Sequence, residues 1–146
     1  MTGDRITVLG AGSWGTAVAA LLARVPGVTL WARDPALAER IDGEHDNPRY
    51  LPGVTLPSEL HATGDLQSAC AEADVLVLGV PSHGLRAVLC DVVTEVRTDV
   101  PVLSLAKGVE QATHLRMTEV AADVLTGHRA DRIGVLTGPN LAREVA

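Results

Sequence analysis

The sequence contains no phenylalanine, and aromatic residues make up only 2% of its 146 residues. Any core must therefore be built from Ala, Val, Leu and Ile. Lysine is almost missing too, because Lys107 is the one lysine among 12 basic residues. There is no excess of positive charge, since 18 acidic residues give a net charge of −6. We therefore expect neither a nucleic-acid partner nor an anionic membrane surface.

Cysteines and long apolar runs are also scarce. Two cysteines, Cys70 and Cys90, are too few for a disulfide framework and fit a reducing compartment. No apolar run approaches the roughly 20 residues that a membrane span needs, and residues 1–5 lack the layout of a signal peptide. With 47% hydrophobic residues in a chain of modal domain size, we expect one globular cytoplasmic domain over residues 1–146.

Short apolar runs alternate with stretches of helical periodicity along the whole chain. Strands are predicted over residues 6–9, 28–31, 60–63, 75–78, 102–105 and 133–136. Helices are predicted over residues 14–25, 36–42, 66–71, 83–96 and 117–125, with a long loop over residues 43–57. Several strands are apolar on both faces, which favours a doubly wound, mostly parallel α/β sheet of the Rossmann type.

A glycine-rich motif lies between the first strand and the first helix. It reads Gly10-Ala11-Gly12-Ser13-Trp14-Gly15, the G-x-G-x-x-G pattern. The glycines permit a tight turn, close approach of a pyrophosphate to the backbone, and close packing of helix on strand. The N–H groups of the following helix would face the phosphates. The motif predicts a dinucleotide site with Ser13 and Trp14 against the ligand, although Trp14 is also suited to packing on the loop.

The end of the second strand bears on the choice between NAD and NADP. Arg33 stands near the position where an acid would bind the ribose 2′-hydroxyl, and its charge and reach suit a 2′-phosphate. Asp34 precedes Pro35, which is typical of a helix N-cap. We therefore expect NADP to bind at least as well as NAD.

Three further strand ends carry polar residues. Ser82 is predicted to cap a helix, and His83 has no partner that the sequence assigns. Lys107 follows the next strand, where it would contact a substrate oxygen or the cofactor unless it is an ordinary surface lysine. Gly138 follows the last strand. The segment after it either begins a helix whose N–H groups bind an anion or is a plain strand-to-helix turn, with Asn140 near the helix N-cap.

Together these stretches resemble the bacterial NAD(P)-dependent glycerol-3-phosphate dehydrogenase family. The matching segments, in order, are residues 10–17, 30–34, 47–53, 80–83, 107–110 and 138–142. The resemblance implies a cytoplasmic, commonly dimeric enzyme that reduces dihydroxyacetone phosphate to glycerol 3-phosphate with NADPH or NADH, for phospholipid synthesis.

The resemblance also implies roles for individual residues. Ser13, Trp14, Arg33, Tyr50 and Ala142 are similar to cofactor contacts of the family, and Lys107 to a residue that touches both cofactor and substrate. Gly138 and Asn140 are similar to substrate contacts, although many relatives have Ser or Thr in place of Asn140. The family's catalytic lysine lies in a second, helical domain beyond Ala146. We therefore expect this chain to be a fragment that contains no catalytic residue and is inactive alone.

Two alternatives remain at this point. One is another dehydrogenase that shares the domain, such as a ketopantoate or hydroxyacyl-coenzyme A enzyme. The other is a nucleotide sensor without catalysis, which would need a basic DNA-binding helix pair or a transport partner. The acidic composition supplies neither.

Overall fold

The computed structural model describes residues 4–138 and 141–146. The strands are β1 Ile6–Leu9, β2 Val28–Trp31, β3 Asp46–Asn47, β4 Leu51–Thr55, β5 His61–Thr63, β6 Val75–Leu78, β7 Val102–Ser104 and β8 Ile133–Val135. The helices are α1 Ser13–Leu22, α2 Pro35–Glu44, α3 Leu66–Ala71, α4 Ser82–Asp91, α5 Met117–Val124 and α6 Ala142–Val145, and a 3-10 turn spans Ala130–Arg132.

Six strands form one parallel sheet in the order β5-β2-β1-β6-β7-β8. The chain starts at the centre, moves outward through β2 to β5, then returns to the other side of β1 and moves outward again. Strands β1 and β6 lie at the centre because their Val, Leu and Ile side chains can be buried on both faces. This confirms the predicted doubly wound, Rossmann-type fold.

Each face of the sheet has its own apolar cluster. One contains Val8 and Leu30 together with the buried sides of α1 and α2. The other contains Leu9 and Leu78 together with the buried sides of α3, α4 and α5. Neighbouring residues of β1 thus point to opposite layers, as the alternation of side chains along a strand requires.

The carboxyl ends of the central strands are level with one another. Leu9 of β1 is in register with Trp31 of β2 and with Leu78 of β6. Leu78 is in register with Ser104 of β7, and Ser104 with Val135 of β8. The segments that follow these strands therefore emerge at one edge of the sheet, which is where ligands bind in open α/β folds.

Several predicted boundaries were wrong. The segment predicted as a loop over residues 43–57 contains the end of α2 and an antiparallel hairpin, β3–β4. Helix α1 ends at Leu22 rather than at residue 25, and α4 ends at Asp91 rather than at residue 96. Val92 and Val96 continue the apolar stripe of α4 but are buried in a turn. Periodicity therefore predicted which residues are buried better than it predicted where the helix ends.

Candidate functional site

The glycine-rich loop connects β1 to α1, and two of its glycines are required by the fold. Gly10 has a φ of +110°, and a Cβ there would lie 2.8 Å from the carbonyl group of Gly79. A Cβ at Gly15 would overlap the carbonyl oxygen of Gly10, so this glycine lets α1 pack closely on the loop. Both positions serve the tight turn and the close packing that the motif predicts.

Gly12 differs from the other two glycines of the motif. It has an ordinary φ of −70° as the N-cap of α1, and a Cβ there would have no atom within 4 Å. Neither backbone conformation nor packing within the described residues therefore requires glycine at this position. Among the described residues no side chain caps α1, which leaves the first backbone N–H groups of this helix without a side-chain partner. This arrangement fits a pyrophosphate group of a dinucleotide.

A cleft of about 430 Å³ extends from the glycine-rich loop along the end of β2. Its lining includes Gly10 and Gly12 on the floor, and Arg33, Asp34, Arg49 and Tyr50 at the mouth. A volume of this size is within the ordinary range of small-molecule and cofactor sites. Four predicted cofactor residues, at positions 10, 12, 33 and 50, thus line one cavity.

Arg33 and Asp34 point in different directions at the end of β2. Asp34 Oδ1 accepts a hydrogen bond of 3.0 Å from the Ala36 backbone N–H, which confirms the predicted cap of α2. The exposed guanidinium of Arg33 extends toward α4, where a Cβ at Gly84 would lie 3.7 Å from its Nη2 atom. Arg33 therefore crosses the mouth of the cleft and leaves its charge available to a ligand.

The turn of the β3–β4 hairpin contributes Arg49 and Tyr50 to the lining of the cleft, and one buried side chain anchors this hairpin. The Asn47 side chain is fully buried, and its Nδ2 donates to the Ala11 carbonyl and to Thr16 Oγ1, both at 2.9 Å. Its Oδ1 accepts from the Tyr50 backbone N–H at 3.2 Å. Ser13 Oγ donates to the Tyr50 carbonyl oxygen at 2.6 Å. The hairpin turn and the glycine-rich loop are therefore held as one unit.

Trp14 lies inside the motif and not on the lining of this cleft. It is half-buried and packs against the core cluster that contains α1. Its Nε1 atom is buried and has no hydrogen-bond partner among residues 4–138 and 141–146. Packing on the loop was the alternative interpretation of Trp14 from sequence, and the structure places the side chain against this apolar cluster.

Lys107 and Gly138, predicted to be substrate contacts, come together at the edge formed by β7 and β8. Lys107 Nζ donates a hydrogen bond of 2.9 Å to the Gly138 carbonyl oxygen, and the lysine is exposed. Ala142 begins α6, which packs against α1, and its side chain contacts the core cluster on that face. Asn140 lies outside the described residues.

An ion-pair cluster follows Lys107, and sequence patterns did not reveal it. Arg86 of α4 makes a two-pronged contact to Glu110, with its Nε 2.7 Å from Oε1 and its Nη2 2.9 Å from Oε2. The same guanidinium contacts Asp123 of α5 at 2.6 Å. Arg86, followed by the Thr113 hydroxyl, lowers the pKa of Glu110 to about 2. The cluster fixes the segment after Lys107 against α4 and α5.

One residue at the start of α4 differs from expectation. Ser82 was predicted to cap the helix, but it is the first helical residue; Pro81 occupies the cap position, and no side chain caps the helix. Proline has φ fixed near the value that a helix start needs, so it can hold this boundary without a hydroxyl cap. His83 lines the cleft and is exposed.

Within the described ranges, no group of three or more His, Cys, Asp or Glu residues is placed to hold a metal ion. In that same part of the chain, no helix has the length and apolar character needed to cross a bilayer.

Comparison with known sequences decides the family. A sequence model of the NAD-dependent glycerol-3-phosphate dehydrogenase N-terminus matches residues 5–146. The chain belongs to this family. This confirms the resemblance drawn from the motifs, and it decides against another dehydrogenase family and against a sensor of a different family.

Individual relatives agree with this assignment to the glycerol-3-phosphate dehydrogenase family. The chain is 52% identical over 141 residues to glycerol-3-phosphate dehydrogenase (NAD(P)+) 2 of Sphingopyxis alaskensis, covering 97% of this chain and 41% of that protein. It is 48% identical over 147 residues to the Mycobacterium avium glycerol-3-phosphate dehydrogenase (NAD(P)+), covering 100% of this chain and 42% of that protein. The chain thus spans about two fifths of the length of these relatives.

Solved structures of glycerol-3-phosphate dehydrogenases share its fold. The Coxiella burnetii enzyme superposes with a TM-score of 0.85 at 32% identity, over 97% of this chain and 43% of that one. The Saccharomyces cerevisiae enzyme gives a TM-score of 0.85 at 30% identity, over 99% of this chain and 44% of that one. The chain therefore has the amino-terminal fold of this family.

Proposed function

We propose that residues 1–146 are the cofactor-binding domain of an NAD(P)-dependent glycerol-3-phosphate dehydrogenase, and that the domain binds NADPH or NADH. The open space at Gly12 is the observation that carries the proposal. Gly10 and Gly15 are required by the protein's own packing, whereas no contact among the described residues requires glycine at position 12. A pyrophosphate that approaches the backbone of this loop would require it.

Different residues of the site would hold different parts of the cofactor. The N–H groups at the start of α1, from Ser13 to Gly15, would receive the pyrophosphate. Arg33 and Tyr50 would hold the adenosine end, the first by charge and the second by the face of its ring. Trp14 and Ala142 would support the cofactor from the α1–α6 side of the loop.

The edge at β7 and β8 would hold the substrate, dihydroxyacetone phosphate. Lys107 brings a positive charge next to the Gly138 carbonyl group, and Asn140 would add a side-chain contact. A lysine in this position can hold a carbonyl or phosphate oxygen by charge-assisted hydrogen bonds. The bound cofactor supplies the hydride. The acid that protonates the carbonyl oxygen and the wall that excludes water would belong to the remainder of a longer enzyme.

Location, pathway and assembly follow from the family and are proposed on that basis. The product, glycerol 3-phosphate, would feed phospholipid synthesis in the cytoplasm, and the full-length enzyme would be a homodimer. The free thiols of Cys70 and Cys90 support a reducing compartment. Burial raises the pKa of the Cys70 thiol to about 12, with a smaller contribution from Glu95, so that this thiol is unreactive.

A binding titration with a matched pair of glycine variants tests the proposal. NADPH fluorescence would be measured with the parent chain, Gly12→Val and Gly43→Val. Gly43 also has no atom within 4 Å of a Cβ, but it lies on α2. We expect Gly12→Val to weaken NADPH at least about 100-fold with an unchanged circular dichroism spectrum, and Gly43→Val to change affinity less than about 3-fold. Retained affinity in Gly12→Val would contradict the proposal.

A further inference from the structure

We propose that Arg49 is the second cation that receives the 2′-phosphate of NADPH, and that Asp34 competes with this phosphate for it. The inference rests on the proposed cofactor site and deepens it, because it names a residue that sets the preference between NADPH and NADH. Arg49 lies within the matching segment 47–53, but no role was expected for it from sequence, where Arg33 alone was expected to make this choice.

Arg49 is held at the cleft by the hairpin turn. Asn47 and Tyr50 on either side of it are hydrogen-bonded to each other, Asn47 also binds the Ala11 carbonyl, and Tyr50 accepts from Ser13. The guanidinium of Arg49 lies over the Tyr50 ring, 5.1 Å from its centroid. The backbone of Arg49 is thus fixed relative to the glycine-rich loop, while the end of its side chain lines the cleft mouth.

The partner of Arg49 in the structure is Asp34. Arg49 Nη1 lies 3.8 Å from Asp34 Oδ2, while the other oxygen of that carboxylate caps α2. Both side chains are more than half exposed, at 64% and 52%. An ion pair this long and this exposed is weak, so a ligand of higher charge can take the arginine from it.

A phosphate monoester is such a ligand. It carries close to two negative charges at neutral pH, against one for a carboxylate, and its oxygens match the guanidinium fork. Arg33 and Asp34 line the same cleft, so the carboxylate offsets part of the attraction of Arg33 for this charge. Arg49 supplies the second positive charge from the hairpin turn. NADH lacks the 2′-phosphate, so Arg49 stays with Asp34, and the carboxylate is available to the ribose 2′-hydroxyl.

The test compares variants of this pair with a variant of an α6 arginine that contacts the same hairpin away from the cleft. Arg49→Ala removes the cation, and Asp34→Asn removes the competitor while the amide oxygen still caps α2. Arg143→Ala is the control, because its guanidinium donates to the Pro52 carbonyl oxygen at 3.1 Å and does not line the cleft. Each chain is titrated with NADPH and NADH, and with adenosine 2′,5′-bisphosphate and 5′-AMP.

We expect Arg49→Ala to weaken NADPH about 10-fold or more and NADH less than about 3-fold. The same variant should remove most of the preference for the bisphosphate over 5′-AMP. Asp34→Asn should shift the NADPH/NADH ratio in the opposite direction, and Arg143→Ala should leave the ratio unchanged. Circular dichroism and melting curves check that each variant is folded, and Arg49→Lys, which keeps the charge, should retain part of the preference.

Two outcomes overturn the inference alone, and a third overturns the proposed function together with it. Equal losses for NADPH and NADH in Arg49→Ala would show a general contact without selectivity. An unchanged ratio in Asp34→Asn would remove the competition. If the parent chain binds neither dinucleotide, the proposed function itself fails, and the inference fails with it.

Discussion

Replacing Asn47 with alanine is expected to damage both stability and cofactor binding, because this buried amide joins the hairpin to the glycine-rich loop. Three hydrogen bonds are lost. In two of them Asn47 Nδ2 is the donor, to the Ala11 carbonyl oxygen and to Thr16 Oγ1, and in the third Asn47 Oδ1 accepts from the Tyr50 N–H. Because Asn47 is fully buried, the groups left behind have poor access to water. At about 1 kcal/mol for each bond, the free energy of unfolding should fall by about 2–4 kcal/mol.

That loss is large enough to measure by thermal melting. For a domain of this size, about 1 kcal/mol corresponds to a change of roughly 2–4 °C, so the melting temperature should fall by about 5–15 °C. NADPH affinity, measured well below the melting temperature, should fall about 10-fold because the turn carrying Tyr50 is no longer fixed. Thr16→Val is the informative companion, since it removes one of the three bonds and should show a smaller loss of each kind. A destabilised Asn47→Ala chain with unchanged NADPH affinity would refute the positioning argument.

Three further predictions concern other parts of the site. Arg33→Ala should weaken the affinity for NADPH about 10-fold or more and that for NADH much less, because the exposed Arg33 guanidinium crosses the cleft mouth. Fluorescence titration measures both affinities, and equal losses would contradict this role. The 146-residue chain should bind NADPH but show no oxidation of it with dihydroxyacetone phosphate, since losing an acid alone costs about 10²–10⁴-fold; substantial turnover would place a complete site in this chain. Hydrogen bonds from Arg86 and, to a smaller extent, Thr113 lower the pKa of Glu110 from 4.5 to about 2. This carboxylate therefore stabilises the fold above pH 4.5, and its contribution is lost as the pH falls toward 2. Melting temperatures of Glu110→Gln and the parent should therefore differ at pH 7 and converge near pH 2, and a constant difference would be inconsistent with this ion pair.

The parallel sheet was predictable because its strands carry their own signal. Ile6–Leu9 and Val75–Leu78 are short, apolar on both faces and bounded by polar or glycine residues, which is what burial between two helical layers requires. Lys107 and Gly138, which both follow strands of the sheet, are joined by a hydrogen bond although they are 31 residues apart. Level strand ends bring such residues to one edge whatever their separation in sequence.

The β3–β4 hairpin was missed because its stability comes from elsewhere in the fold. Strand β3 has two residues, and β4 includes Pro52 and Gly53, both of which are disfavoured in strands. Its pairing is irregular, and its anchor is the contact of Asn47 with a loop 36 residues away. No local pattern encodes such a contact. The ion pair between Arg86 and Glu110 was missed for the same reason, since it joins residues on separate elements.

The central claim is tested most directly by a crystal structure of this chain with NADPH. The account predicts the pyrophosphate over Gly12, within about 2.7–3.2 Å of the first N–H groups of α1, and the 2′-phosphate between Arg33 and Arg49. A cofactor bound elsewhere, or a pyrophosphate that avoids the open space at Gly12, would contradict it.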